Sequence, residues 1–325
     1  MSASWAARLA AFKNPDTRRS IWQLASTAAL LGGAWALMYL SLGVGYWLTL
    51  LLAVPAAFFL IRLFIVQHDC GHGAFFRSSR AADVVGSIIG VLTLTPYHYW
   101  KKTHAMHHAT SGNLEHRGFG DIDTLTVDEY LALSRWRRFK YRLYRHPAVL
   151  FGVGALLHFL VRHRIPTIVP STWVRERRSI FWTDVGLAAF IVGMGLLVGF
   201  REFVLVQAPV TILSCSIGVW LFYVQHQFEP TYWEHNEQWQ YDAAALTGSS
   251  YYRLPRVLQW ATGNIGLHHV HHLNARIPNY RLQEALEAVP ELQRVTTLSL
   301  RDSLRCVRLT LWDERARKLV GFPRG

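Results

Sequence analysis

Apolar positions along this chain gather in four blocks, each near the roughly 20 residues that a helix needs to cross a hydrocarbon core of about 30 Å. In residues 21–42 only Gln23 and a few Ser, Thr and Tyr interrupt the run, and in residues 46–66 only Pro55 and Arg62 do. The tripeptide between them is too short for anything but a tight turn, which predicts a hairpin. Residues 180–200 and 203–224, separated by Arg201 and Glu202, predict a second. Two further apolar stretches, residues 84–96 and 148–161, are too short to cross and read as re-entrant or interfacial helices. Arg62, near the far end of its span, is expected to snorkel toward the headgroups, with a partner inside the bundle as the alternative.

Composition agrees with a membrane protein: 51% of residues are hydrophobic and 17% charged, against about 25% charged in soluble domains. Lys and Arg number 34 against 21 acidic residues, for a net charge of +13, and their placement decides what that charge means. Residues 67–179, between the hairpins, carry 16 of them, including Arg135, Arg137, Arg138, Lys140, Arg142 and Arg145, while each opposite turn has one at most. The positive-inside rule then puts both termini and this loop in the cytoplasm. Residues 1–20 are basic and lack a signal-peptide pattern. The positive charge reads as topology and contact with membrane lipids, with an acidic redox partner as a further possibility; no nucleic-acid partner is expected. Cys70, Cys215 and Cys306 make no disulfide framework.

The 16 histidines carry the chemistry. His68 and His72 stand four apart just beyond the second span, where one helix face presents both imidazoles. His104, His107 and His108 form a second stripe at i, i+3 and i+4, and His268, His271 and His272 repeat it. A lone histidine is usually a surface or core residue, but eight at ligand spacing in three short windows defeat that reading. All three windows fall on one membrane face. His226, where the fourth span emerges on the same side, is a ninth candidate ligand. His98, His116, His146, His158, His163 and His235 lack the spacing, and His269 points off its stripe if the segment is helical.

Nine imidazoles exceed the needs of one ion, since zinc sites take about four ligands, so two metals are implied. Imidazole suits zinc, copper, iron and nickel alike. The Glu-x-x-His motif of soluble di-iron bundles is absent from the sequence. Asp69, Asp121, Asp123, Glu115 and Glu229 are close enough in sequence to accept from the second ring nitrogens, with solvation or helix capping as the alternative for each.

These features resemble the membrane-bound fatty acid desaturases, which carry three histidine boxes at the cytoplasmic face. The resemblance extends to residues 68–75 (HDCGHGAF), 104–126 (HAMHHATSGNLEHRGFGDIDTLT) and 263–280 (GNIGLHHVHHLNARIPNY), which look like the omega-6, delta-12 acyl-lipid branch. It implies an all-α integral membrane protein of the bacterial inner membrane. Its four transmembrane helices form two hairpins under a cytoplasmic helical cap carrying the di-metal site, and residues 1–325 form a single domain. It implies two non-heme iron ions, with His68, His72, His104, His107, His108, His226, His268, His271 and His272 as ligands. Oxygen as co-substrate, a lipid-linked fatty acyl chain as substrate and a separate electron donor such as ferredoxin follow from it, since no His-Pro-Gly-Gly of a fused cytochrome b-type domain is present.

Two positions bear on the resemblance in detail. The animal acyl-CoA branch has an asparagine one turn before the histidine after span four, and here Phe222 stands there. Asn264, one turn before His268, is open to a similar water-holding role or to a turn. A lipid hydroxylase or carotenoid ketolase on the same scaffold is the alternative chemistry. A metal transporter fits less well, because transport needs ligands at mid-membrane depth.

Overall fold

In a computed structural model, residues 4–118 and 120–323 are described; residues 1–3, Phe119 within the second motif stretch, and residues 324–325 lie outside them. A short helix α1 (Trp5–Arg8) leads to α2 (Thr17–Ser41). Asp16 caps α2, its carboxylate accepting from the backbone N–H groups of Arg18 and Arg19 at 2.9 and 3.2 Å, donors that a helix start otherwise leaves unpaired. A turn at residues 42–45 reverses the chain into α3 (Tyr46–Gly71), giving the expected hairpin. Then come α4 (Ser79–Leu92), α5 (Tyr97–Thr110), α6 (Val127–Ala132), α7 (Arg135–Arg145) and, after a π turn, α8 (Gly154–Leu160). The second hairpin is α9 (Val174–Val198) and α10 (Phe200–His226), joined at Gly199, whose φ of 93° disfavours any residue with a Cβ.

Helix length explains how the histidines leave the membrane. At about 1.5 Å per residue, α3 with 26 residues and α10 with 27 reach about 40 Å, which exceeds a hydrocarbon core of about 30 Å by about two turns. Each is the second helix of a hairpin, so both overshoot on the same side, and they carry His68 and His226 out with them.

The spans pack around α3. Over half of its apolar stretch, 56%, is buried, against 17–28% for the other three, and Ala53, Ala56 and Ala57 are fully enclosed. Small residues of this kind let helix backbones approach where lipid provides no hydrophobic drive for association. Trp22, Leu37 and Leu40 of α2 and Leu196 and Leu197 of α9 point outward, as a lipid-facing surface requires. The two short apolar stretches form short helices. α4, with 14 residues, packs against α3 and α9, and the segment Val149–Arg164 is bent 65° from α7. Gly86 of α4 allows a close approach to α5: a Cβ there would come within 2.3 Å of the Tyr97 ring.

Beyond α10 the chain folds into a cap of α11 (Tyr241–Thr247), α12 (Arg256–Ala261), α13 (His268–Leu273), α14 (Leu282–Ala288) and α15 (Leu300–Cys306). Five strands of two or three residues staple it: β1 (Leu125–Thr126), β2 (Tyr251–Tyr252), β3 (Thr297–Leu298), β4 (Leu311–Asp313) and β5 (Lys318–Val320). β4 lies between β1, which it parallels, and antiparallel β5, while β2 and β3 pair in parallel. These strands are a small addition to the expected helical architecture.

Arg62 does not snorkel but takes the alternative of a partner inside the fold. Its side chain is buried, donates through Nη1 to the carbonyl of Trp260 and lies 4.3 Å from the centroid of that ring. The reason is that α12 folds back over α3, so an acceptor and an aromatic face lie within reach of the guanidinium. Arg62 therefore fastens the cap to the central span.

Candidate metal centre

Four helices and one helix end deliver the nine histidines to one place. His68 lies in the last turn of α3 and His72 caps it; His104, His107 and His108 share a face of α5; His226 ends α10; His268, His271 and His272 lie on α13. They divide into two groups whose ligand atoms lie within 4.8 Å of one another: His68, His72, His104, His108 and His271 in one, and His107, His226, His268 and His272 in the other. Neighbours on α5 face different groups, because residues three apart on a helix point about 60° away from each other. The groups are therefore interleaved across α5 and α13.

Proton accounting tests whether these rings suit a cation. A neutral imidazole has one N–H, so a ring that donates from Nδ1 presents a lone pair at Nε2. His107 Nδ1 lies 2.5 Å from Asp121 Oδ1, His68 Nδ1 lies 3.0 Å from Asp69 Oδ1, and His226 Nδ1 lies 3.1 Å from the Gly248 carbonyl. Yet Nε2 of His107 and of His226 approach to 3.1 Å, and Nε2 of His226 stands 3.0 Å from that of His268. In the other group, His104 and His271 bring Nε2 to 3.2 and 3.0 Å from that of His108. The Nε2 atoms of His68 and His72 are buried with no hydrogen-bond partner. Between His107 and His226, whose Nδ1 atoms both meet acceptors, the facing lone pairs repel unless a cation lies between them. Nitrogens bound to one ion at about 2.1 Å and near a right angle stand about 3 Å apart, so the residues fit metal.

Burial favours the neutral form of six of the rings, the form that a ligand needs. It pushes His72, His104, His108, His268, His271 and His272 well below the ordinary histidine value, and neighbouring imidazoles add to the effect. Aromatic rings wall the centre: Trp100 stacks on His104 at 4.4 Å, and Phe222 lies 5.1 and 5.2 Å from His107 and His226.

Of the five acidic candidates, two reach the histidines, Asp69 and Asp121. Glu115 contacts His235 at 2.5 Å on the surface, Glu229 pairs with Lys318, and Asp123 uses its backbone to meet Tyr141 and Tyr144. His269 points off the stripe as expected, its Nε2 3.0 Å from the Leu292 carbonyl. Asn264 takes the turn alternative, at φ 57° with its side chain donating to the Asn279 carbonyl. Sequence reasoning missed Gly248, since a backbone carbonyl has no sequence signature, and Asn279, which donates twice to Asp69, at 2.7 and 2.8 Å.

Comparison with known proteins places this geometry. The family model described as fatty acid desaturase matches residues 44–298. A fatty acid desaturase of Bacillus subtilis is 47% identical over 315 residues, covering 97% of this chain and 89% of that protein. More distant similarity is found to the sn-1 oleoyl-lipid 12-desaturase of Anabaena variabilis, at 24% identity over 85% of this chain and 78% of that protein. The sn-1 acyl-lipid omega-3 desaturase (ferredoxin) of a Synechocystis species is 26% identical over 70% of this chain and 63% of that protein. With four membrane-crossing helices and a buried histidine site able to hold metal, this chain belongs to the fatty acid desaturase family and is an oxidoreductase of the membrane.

Proposed function

We propose that the protein introduces a cis double bond into a lipid-linked acyl chain at a centre of two iron ions. One ion is held by His68, His72, His104, His108 and His271, the other by His107, His226, His268 and His272. In the overall change two neighbouring methylenes lose one hydrogen each, and dioxygen takes up those hydrogens with two further electrons and two protons to leave two waters. Iron, when bound, supplies the redox couples and oxygen activation that an unactivated C–H bond demands, which redox-silent zinc does not. The observation that carries this reading is the meeting of nine imidazoles in two interleaved groups at the end of two overshooting spans.

The protein's own residues do the remaining work. Asp69, Asp121 and the Gly248 carbonyl orient three rings by accepting from Nδ1, which also raises the ligands' basicity. Phe222 and Trp100 exclude water from the rings they cover. Burial of the acyl chain contributes about 0.8 kcal/mol per CH₂. The omega-6, delta-12 position is supported by the three motif stretches and by the 12-desaturase relative. An external ferredoxin as donor is supported by the name of the Synechocystis relative and by the basic loop, whose charge would steer an acidic protein to the site. The same loop supports a cytoplasmic active site and termini at a bacterial inner membrane. Residues 1–325 act as one domain in this reading.

Expression in a host that lacks polyunsaturated lipids, with a ferredoxin system supplied, tests the proposal. New dienes in the fatty acids and about two irons per chain are expected. Hydroxylated or keto products would redirect the chemistry to oxygen insertion, and a single redox-silent ion would overturn the proposal.

A further inference from the structure

We propose that Asn279 is a positioning residue for the metal centre, holding Asp69 so that Asp69 fixes the ring of His68. This rests on the reading of the nine histidines as metal ligands. Asp69 and Asn279 are each 1% exposed, and they are brought together across 210 residues of chain. Asp69 Oδ2 accepts from the backbone N–H of Asn279 at 2.7 Å and from its Nδ2 at 2.8 Å, while Oδ1 faces His68 Nδ1 at 3.0 Å. Among the described residues no lysine or arginine pairs with Asp69; its one ion-pair partner is His68. A buried carboxylate is costly unless its charge is compensated. Here that compensation runs through the imidazole to whatever cation Nε2 binds.

Asn279 is itself held. Its Oδ1 accepts from Gln23 Nε2 on α2 at 3.0 Å, and its carbonyl from Asn264 Nδ2 at 3.0 Å. Next to it, Tyr280 meets Ser20 and the backbone of Asp16, and Arg19 pairs with Glu284 at 2.6 Å. The chain Gln23, Asn279, Asp69, His68 thus connects the first membrane helix to one ligand of the five-histidine group and to none of the four-histidine group. Partners of this kind alter metal affinity about tenfold to a hundredfold when lost.

The test uses the full chain in detergent micelles, loaded with iron. Metal per chain, release to a chelator and the Mössbauer signature are measured for the wild type, Asn279→Ala and Gln23→Leu. In Asn279→Ala one of the two ions should leave about tenfold or more faster, with the signature of that site altered and the other unchanged; Gln23→Leu should show the same selectivity to a smaller degree. Should the first variant not fold, the second carries the test alone. Wild-type release of both ions in the variants, or equal acceleration of both alongside a lower melting temperature, overturns the inference while the centre stands. A wild type that holds fewer than two ions overturns the centre itself and this inference with it.

Discussion

His107 and His226 bring their Nε2 atoms to 3.1 Å from each other while their Nδ1 atoms face Asp121 and the Gly248 carbonyl. Both acceptors claim the single ring proton, so the facing nitrogens present lone pairs with no hydrogen bond between them. The pair comes from α5 and from the end of α10, 119 residues apart. Its geometry makes sense with a cation bound, and it gives the most direct handle on the centre.

Replacing Asp121 with Asn keeps the shape beside His107 but removes the negative charge that orients and polarises the ring. Metal affinity of the four-histidine group should fall about tenfold to a hundredfold. Iron titration of the apoprotein, followed by mass spectrometry of bound metal, checks this. His107→Ala should go further and abolish both diene formation and binding of that ion.

Acid should destabilise the metal-free protein. His72, His104, His108, His268, His271 and His272 have folded values held well below the ordinary one by burial. The unfolded chain therefore takes up more protons. Stability is fully present above the unfolded value of about 6.5 and declines as pH falls below it. Melting temperatures of the apoprotein from pH 8 to pH 5 should fall monotonically, and a flat profile would remove these rings from the buried neutral set.

Gly86→Ala places a methyl 2.3 Å from the ring of Tyr97. Tyr97 is fully buried at the start of α5, so the clash is relieved by shifting the helix that carries the second histidine box. Overpacking of this kind costs about 1–3 kcal/mol. A lower melting temperature together with reduced iron content is expected, measured on the same preparation.

Arg145, buried at 2% exposure, donates to the carbonyls of Asp123 and Leu309 at 3.0 and 2.8 Å and to Gln227 Oε1 at 2.9 Å. It joins α7, the loop beyond Asp121, the end of α10 beside His226 and the C-terminal segment. Arg145→Met takes the charged donor from these acceptors, which keep only the hydroxyls of Tyr141, Tyr223 and Thr124 within reach, and loss of a hydrogen bond from a charged group costs about 1.5–3 kcal/mol. Arg145→Lys should recover little, because a compact ammonium lacks the planar fork that reaches them. Denaturant unfolding in micelles should show a loss of at least about 2 kcal/mol for both.

The spans and the histidine stripes were legible because each is a local pattern. A run of about 20 apolar residues must satisfy its backbone as a helix in lipid, and i, i+3 and i+4 spacing places side chains on one face whatever lies around it. That was enough to single out all nine histidines that the fold brings together, and to set His269 aside. For Arg62 the choice between snorkelling and an internal partner could not be made, because that partner, Trp260, lies 198 residues away, and no local pattern announces that α12 folds back on α3. Asp69 and Asp121 could not be told from Asp123, Glu115 and Glu229, since all five are near a box in sequence and which carboxylate turns inward depends on packing.

The order of apolar blocks and histidine stripes by itself determined two membrane hairpins and a set of imidazoles able to hold metal, since hydrophobic run length and helical spacing act within a few turns of chain. Only the tertiary structure decided how the nine rings divide into five and four, which acceptors hold their outer nitrogens, and that Asn279 stands behind Asp69. Those outcomes are set by contacts between segments separated by up to some 200 residues, where the energy lies in burial and hydrogen bonding rather than in any local preference.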